Sequence, residues 1–306
     1  MSGFIARRLL AALLVVWGAL TVIFVIVRVL PGDPAAVLLG TYATPQLIAE
    51  QRERLGLNRP RAVQYALFMR QAVLGDWGRS YYEGSNAMRL VLGRFPATAE
   101  LAAVSLTLSV AASVGLGSIA ARWVHSTLDR AIETLSLVAQ AAPNFWLGLV
   151  AILIFSRDLK WLPSFGRGGA WHLVLPSVTL SMQFIGVLTR LVRAGIIEMT
   201  GQDFARTARA KGVSEVGVFV HHIYRNMLIP VVTMIGLQLG TLVGGVVVTE
   251  TVFAWPGLGR LIVTAIENRD YPVVQAAVVF TAVVFVLTNL AADVTYAYLD
   301  PRIRYQ

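Results

Sequence analysis

The sequence predicts an all-α polytopic membrane protein with six transmembrane helices. Its 306 residues are 56% hydrophobic and only 14% charged, with a mean hydropathy of +0.66. Six long runs contain no charged side chain: 9–27, 101–121, 134–156, 173–189, 226–249 and 271–292. A helix needs about 20 mostly apolar residues to cross the hydrocarbon core of a bilayer. Soluble enzymes rarely bury helices that are so long and so uncharged, so the pattern argues against that class.

The first run also has features of a signal peptide, because Arg7 and Arg8 precede it. However, it is longer than the usual apolar region of a signal peptide, and no small-residue cleavage motif follows it. We therefore expect a retained first span. Pro143, Pro176 and Pro230 lie within the third, fourth and fifth runs and are expected to kink those spans.

The basic residues predict that both termini are cytoplasmic. In that orientation twelve Lys and Arg residues lie on the cytoplasmic side and five in the two short outer loops, in line with the positive-inside rule. The chain then divides into an N-terminal end with the first span (1–30), an extracytoplasmic segment (31–96), a five-helix core (97–300) and a cytoplasmic tail (301–306). The net charge of +9 follows from this topology, so we expect membrane lipid and no nucleic acid as a partner.

The composition excludes several kinds of chemistry. Cysteine is absent, which excludes disulfides and thiolate ligands. Neither lysine, Lys160 or Lys211, follows a glycine as a phosphate-binding loop requires, so any ATP must be bound by another chain. His221 and His222 are adjacent and point about 100° apart on a helix, which is poor geometry for one metal. We predict no catalytic residue, cofactor or metal site in this chain.

A compact basic segment, 203–226, lies between the fourth and fifth runs. Asp203 is a candidate N-cap of a helix that Gly212 ends, and Ser214 is a candidate cap of a second helix. The first helix has a face of small residues that includes Ala205 and Ala208. One interpretation is a connector that fixes topology and touches anionic lipid. The other is a docking element for a cytoplasmic partner.

Several motifs resemble a known family. The segment "RTARAKG" with "RNMLIP" is similar to the coupling loop in the first permease subunit of dipeptide and oligopeptide ABC importers. The general form of that loop in ABC-importer permeases is Glu-Ala-Ala, three residues, then Gly, and later Ile-x-Leu-Pro. Only Ala208 and Gly212 match it, since Arg206 and Thr207 replace Glu-Ala and Arg225 stands at the proline position. "LPGDPA", "GDWGRS", "RFPATAELA", "ETVFAWPGLGRL", "NRDYPVVQ" and "YLDPRIR" extend the resemblance over nearly the whole chain.

The resemblance implies the fold of a type I ABC importer permease in the bacterial inner membrane. It implies a heterodimer with a second permease, two cytoplasmic ATPases that bind ATP and magnesium, and an extracytoplasmic substrate-binding protein. It also implies that the basic segment is the coupling helix, with Ala208 and Gly212 entering a cleft on an ATPase. The expected coupling residues are Arg206, Thr207, Ala208, Arg209, Lys211, Gly212 and Glu215.

Two further sets of residues are candidates for roles in the transport path. Trp255, Pro256 and Gly257 form a turn that, by resemblance, begins an outer gate, although an interfacial anchor with Trp255 and Tyr271 in the aromatic belt is equally compatible. Gly236, Gly240 and Gly244 share one face of the fifth span, which favours close helix packing or a place along the pathway.

Dipeptides or oligopeptides are the expected substrates, and nickel chelates or glutathione are the alternatives within the same family. Two other classes remain open. An ion-coupled secondary transporter would need ionisable groups at mid-membrane and often shows inverted repeats, and neither is evident. A membrane scaffold or insertase would need no partner ATPase.

Overall fold

The computed structural model describes residues 2–29, 33–40 and 43–299, without the side chains of 2–9, 229, 237, 239–244 and 292–299. This part of the chain is helical and contains no strand beyond one isolated bridge between Arg79 and Asn86. The helices are α1 Ser2–Val29, α2 Pro34–Leu39, α3 Pro45–Arg54, α4 Arg61–Leu74, α5 Ala87–Arg122, α6 Thr127–Ala141, α7 Asn144–Ala151, α8 Ala170–Thr200, α9 Asp203–Ala210, α10 Glu215–Gly217, α11 Arg225–Val252, α12 Leu258–Glu267 and α13 Tyr271–Leu299. Two π-helical segments, Ile152–Asp158 and Val218–Tyr224, follow α7 and α10.

Five of the described helices are long and apolar enough to cross a membrane, and a bent pair completes a sixth candidate span. The pair consists of α6 and the helix from Asn144 to Asp158, and the helix axis bends by 108° between them. Pro143 explains the break, because proline disfavours the helical conformation in the residue before it. Ala142 is extended there, with φ −73° and ψ 133°. Thus the helix predicted for the third span is broken at Pro143 rather than kinked, which is the geometry of a broken span or of a re-entrant loop. Helices α8 and α11 continue through Pro176 and Pro230.

The chain forms two compact units. The first comprises Met1–Pro96 and Gly257–Leu287. In its core Phe24 lies edge-on to Tyr65, with ring centroids 5.1 Å apart, and contacts Phe68 at 5.6 Å. Buried Asp270 accepts hydrogen bonds from the Ser80 hydroxyl and from the backbone N–H of Tyr81, the latter at 3.1 Å. This carboxylate therefore holds the turn before α5 against the start of α13.

The second unit comprises Ala97–Pro256 and Thr288–Gln306, and α8 is its central helix. Helices α6, α7 and α11 all pack on α8, which buries Leu180, Leu188 and Val192. A Cβ added to Gly186 of α8 would collide with the backbone carbonyl of Ser136 on α6. Only glycine permits this close approach, which brings α6 and α8 together at the backbone level.

Candidate coupling interface

Helix α9 and the turn after it form a short structure that follows α8 and is capped at its C-terminal end. Gln202 occupies the N-cap without a side-chain hydrogen bond, so Asp203 is the first helical residue and not the cap that the sequence suggested. Gly212 is left-handed, with φ +80°. Its N–H donates to the Arg209 carbonyl at 2.9 Å, and the Val213 N–H donates to the Ala208 carbonyl at 3.2 Å. This pair of bonds is a Schellman motif, which ends the helix sharply.

The segment after the turn resumes a helix, as predicted. Ser214 is its N-cap, and its hydroxyl accepts the N–H of Gly217 at 3.2 Å. The backbone then remains helical through the π-helical segment into α11. The arrangement is therefore helix, glycine turn, helix, with the second helix continuous with a long apolar one.

The small-residue face of α9 turns inward. Ala205 and Ala208 are 0% and 6% exposed and pack in a cluster of the chain's own side chains, which we call the cradle. The other buried members of the cradle are Leu188, Val192, Ile196, Val218, Ile223, Met227 and Val231. The expectation that Ala208 enters a partner's cleft does not fit this geometry, because its methyl group is already enclosed. Small residues here let α9 approach α8 and α11.

The outward side of the turn carries the polar groups. Arg206, Thr207, Lys211 and Gly212 are exposed. Arg209 and Glu215 pair with each other, with Nε and Oε1 2.9 Å apart, so they bridge the glycine turn. Exposed pairs of this kind contribute little to stability but do bias side-chain position.

Two apolar side chains lie beside these polar groups. Val213 and Val216 are 39% and 74% exposed. The outward side of the turn therefore combines basic and apolar side chains. We call Arg206, Thr207, Lys211, Gly212, Val213 and Val216 the coupling face.

The cradle connects the coupling face to two long helices. Val192 and Ile196 belong to α8, Met227 and Val231 to α11, and Ala205 to α9 between them in sequence. Helix α9 is therefore packed against both spans through buried side chains.

An ion-pair cluster that the sequence did not reveal anchors α8 close to the cradle. Arg193 binds buried Asp129 of α6 in a bidentate manner, with Nε–Oδ1 2.6 Å and Nη2–Oδ2 2.8 Å. Its Nη1 also lies 3.1 Å from Oε1 of Glu133. From the sequence, Arg193 was only one of the twelve Lys and Arg residues predicted on the cytoplasmic side. Asp129 and Glu133, four residues apart, form one side of a helix, and that spacing was the available signal.

The proposed gate residues lie at the start of α12. Trp255 is fully buried and donates its indole N–H to the Ala97 carbonyl at 2.9 Å. Tyr271 is also buried, so neither side chain is available as the interfacial anchor considered above. The turn itself lies at Phe253 and Ala254, just before the predicted position, and it is followed by non-helical Pro256 and by Gly257, the N-cap of α12.

The structure describes only part of the glycine face of the fifth span. Gly236 is buried within α11, whereas the surroundings of Gly240 and Gly244 lie outside the described residues. Their role stays a prediction.

The whole chain matches known transport proteins. Residues 113–305 match the model of the binding-protein-dependent transport system inner membrane component, and residues 1–102 match the N-terminal model of the same kind of component. The chain belongs to this family of inner-membrane transport components. It is therefore a multi-pass inner-membrane permease of an ABC importer, and the predicted fold class is confirmed.

Named relatives match along their full length. The permease is 40% identical over 313 residues to a probable peptide ABC transporter permease, y4tP, of Sinorhizobium fredii. It is 40% identical over 306 residues to the glutathione transport system permease GsiC of Escherichia coli K12. In both cases 100% of each chain is covered.

A solved structure shows the same fold. The MetNI methionine ABC transporter in an inward-facing conformation matches with a TM-score of 0.59 at 18% identity. The match covers 70% of the permease and 97% of the MetNI chain.

Proposed function

We propose that this permease forms half of the translocation pathway for small peptides, glutathione among them. The supporting observation is full-length 40% identity to relatives named for peptide and for glutathione transport. Glutathione is itself a tripeptide with a γ-glutamyl linkage, so both names point to short peptides with free carboxylates. A pathway for such substrates needs uncharged polar groups that pair with peptide donors and acceptors without trapping the substrate.

We further propose that separate chains supply the energy and the substrate. The sequence has no phosphate-binding loop, so ATP and magnesium belong on two partner ATPases. A second permease completes the pathway as a heterodimer, and an extracytoplasmic binding protein delivers the peptide. The chain itself is a non-catalytic transport subunit.

The coupling face is the proposed contact with one ATPase. Arg206, Thr207 and Lys211 supply polar contacts to it, Gly212 allows close approach, and Val213 and Val216 supply apolar area. Arg209 and Glu215 act at the rim, where their mutual ion pair sets the angle of the turn. Ala208 lies on the inward face of α9 and contacts no partner. As part of the cradle it helps to transmit the movement of α9 to α8 and α11.

Trp255, Pro256 and Gly257 remain our proposal for the outer gate. Buried Trp255 and its bond to Ala97 provide a fixed point, and the non-helical Pro256 and Gly257 provide a joint.

The decisive experiment is uptake by the reconstituted complex. The permease is placed in proteoliposomes with its partner permease, ATPases and binding protein, and given dipeptides, longer peptides, glutathione and a nickel chelate. We expect ATP-dependent uptake of a peptide or of glutathione that stops when the ATPases are omitted. Uptake of the nickel chelate alone would overturn the substrate class. Uptake driven by an ion gradient without ATPases would overturn the energy source.

A further inference from the structure

A cavity of about 960 Å³ lies within the first unit, between α1, α3, α4 and the turn before α5. Its volume is that of a site for a small organic ligand. Five arginines line it but only two carboxylates: Arg28, Arg52, Arg54, Arg61 and Arg79 against Asp33 and Asp76. By the predicted topology this cavity opens on the extracytoplasmic side. The imbalance of charge makes an anion the natural occupant.

Internal ion pairs account for only some of these charges. Arg52 lies 3.4 Å from Asp33, and Arg54 lies 2.6 Å from Glu50. Arg28, Arg61 and Arg79 have no carboxylate within ion-pair distance in the described ranges. Arg61 is also close enough to Arg28 for the two positive charges to repel each other. Two like charges held near each other in a cavity are stabilised when an anion binds between them.

The Arg28 guanidinium is held in position by hydrogen bonds that use only some of its N–H donors. Gln64 donates its amide N–H groups to the carbonyls of Leu57, at 3.0 Å, and Arg59, at 2.8 Å. These bonds fix the amide so that its oxygen accepts from Nε of Arg28 at 2.9 Å. The guanidinium stacks on the Phe24 ring, 3.5 Å from its centroid, and Nη1 donates to the Phe24 carbonyl at 3.3 Å.

This leaves one N–H of Nη1 and both N–H groups of Nη2 for a ligand. A guanidinium has five N–H donors in a fixed fork, and the protein uses two of them here. The remaining edge matches the two oxygens of a carboxylate, which the fork binds bidentately. A preorganised guanidinium loses little conformational entropy on binding.

Tyr81 adds a neutral donor to the same cavity. Burial, and next the charge of Asp270, raise the pKa of Tyr81 to about 12. The phenol therefore keeps its proton at any pH where the transporter works. Trp77, Phe68 and Tyr271 supply apolar walls beside it, which suit the aliphatic parts of a peptide.

We infer that this cavity is a binding site for a carboxylate-bearing ligand of peptide size, with Arg28 as the anchor and Arg61 as the second positive charge. The identification of the ligand as a peptide, bound by its C-terminal carboxylate, rests on the function proposed above. The charge argument for a carboxylate stands independently of it.

The test uses the permease with its partner permease and ATPases in lipid nanodiscs, without the binding protein. The probes are trialanine and trialanine amide, which differ only in the C-terminal charge. We expect the acid to bind about tenfold or more tightly than the amide, since a charge-assisted bidentate contact is lost. Equal binding of acid and amide, or no binding of either at millimolar concentration, would overturn the site.

Three variants test which arginines cause the preference for the acid, and a fourth variant is the control. Arg28→Gln is expected to abolish the preference for the acid, and Arg28→Lys to restore part of it because a lysine keeps the charge but loses the fork. Arg61→Gln, at an exposed position, is expected to weaken acid binding without a folding defect. Arg54→Gln is the control, because Arg54 lines the cavity but is already paired with Glu50. An unchanged acid preference in both Arg28→Gln and Arg61→Gln would refute the assignment.

Glutarate as a competitor separates this inference from the proposed function. If peptides are transported but neither the acid nor glutarate binds, only the site fails. If no peptide is transported while glutarate still binds in an Arg28-dependent manner, the substrate proposal fails and the carboxylate site stands.

Discussion

At the residue scale, the ion pair between Arg193 and Asp129 links α8 to α6 within the second unit. Asp129 is 2% exposed and Arg193 16% exposed at their side chains. Both oxygens of Asp129 receive a guanidinium N–H, and Oδ2 also accepts the backbone N–H of His125 at 2.8 Å. His125 has φ 64°, so the carboxylate also holds a left-handed residue in place before α6.

We predict that Asp129→Ala destabilises the second unit. The change removes both guanidinium contacts to Asp129 and the bond that holds His125, and it leaves Arg193 with only the half-exposed Glu133 as a counter-charge. Losing hydrogen bonds of this charged kind costs about 2 kcal/mol. The measurement is thermal unfolding of the purified complex in detergent, where the midpoint should fall by several degrees. Glu133→Ala is the control, since Glu133 is half-exposed and makes a single contact, and its midpoint should change little. An Asp129→Ala midpoint equal to that of the native protein would refute the anchoring role.

At the element scale, the turn between α9 and α10 has two separable requirements. Its backbone requires a positive φ at Gly212, which a residue with a side chain adopts at a cost of about 1 kcal/mol. The docking proposed for its outer surface requires space, and, apart from the two neighbours in sequence, no described residue has an atom within 4 Å of the position a Cβ would take. Any effect of a large side chain there that exceeds the backbone strain is therefore the effect that the proposed contact with an ATPase predicts.

We predict that Gly212→Arg leaves membrane insertion intact but uncouples transport from ATP hydrolysis. Gly212→Ala carries the strain without the bulk, and Ala210→Arg, at an exposed position on the same turn, carries the bulk without the strain. The ratio of peptide imported to ATP hydrolysed should fall most for Gly212→Arg. Full ATP-dependent uptake in Gly212→Arg would mean that the coupling face is misassigned.

At the scale of the whole molecule, the topology depends on the charge bias alone, since the fold is compatible with either orientation. The chain lacks cysteine, so single cysteines report their side of the membrane without background. Tyr82, 75% exposed in the predicted outer segment, and Thr207, exposed in the coupling face, are suitable positions.

We predict that Tyr82→Cys reacts with a membrane-impermeant maleimide in intact spheroplasts and that Thr207→Cys reacts only after lysis. The positive-inside rule is the physical reason, because the basic loops resist translocation. The reverse labelling pattern would invert the topology and place the basic segment outside, where no ATPase could reach it.

The helix–turn–helix structure of the candidate site could be predicted from the sequence because it depends on interactions between residues close in sequence. Gly212 and Ser214 mark a helix end and a helix start through backbone geometry and capping, which are set within a few residues. The direction in which the small-residue face of α9 points could not be predicted. A face of small residues suits a partner's cleft and the chain's own cradle equally, and only the positions of α8 and α11 decide between them.

The sequence by itself determined the helical membrane class, the apolar runs, the glycine turn and the lack of a nucleotide-binding loop, because each follows from composition or from neighbours along the chain. Only the tertiary structure decided that Pro143 breaks the third span, that Ala205 and Ala208 face inward, and that Arg193 meets Asp129. It also brought the arginines of the first unit around one cavity. At Pro143 the local preference predicts a kink or a break alike, and the surrounding packing selects the break. The other features join residues far apart in sequence, and such contacts depend on how helices pack rather than on any local pattern.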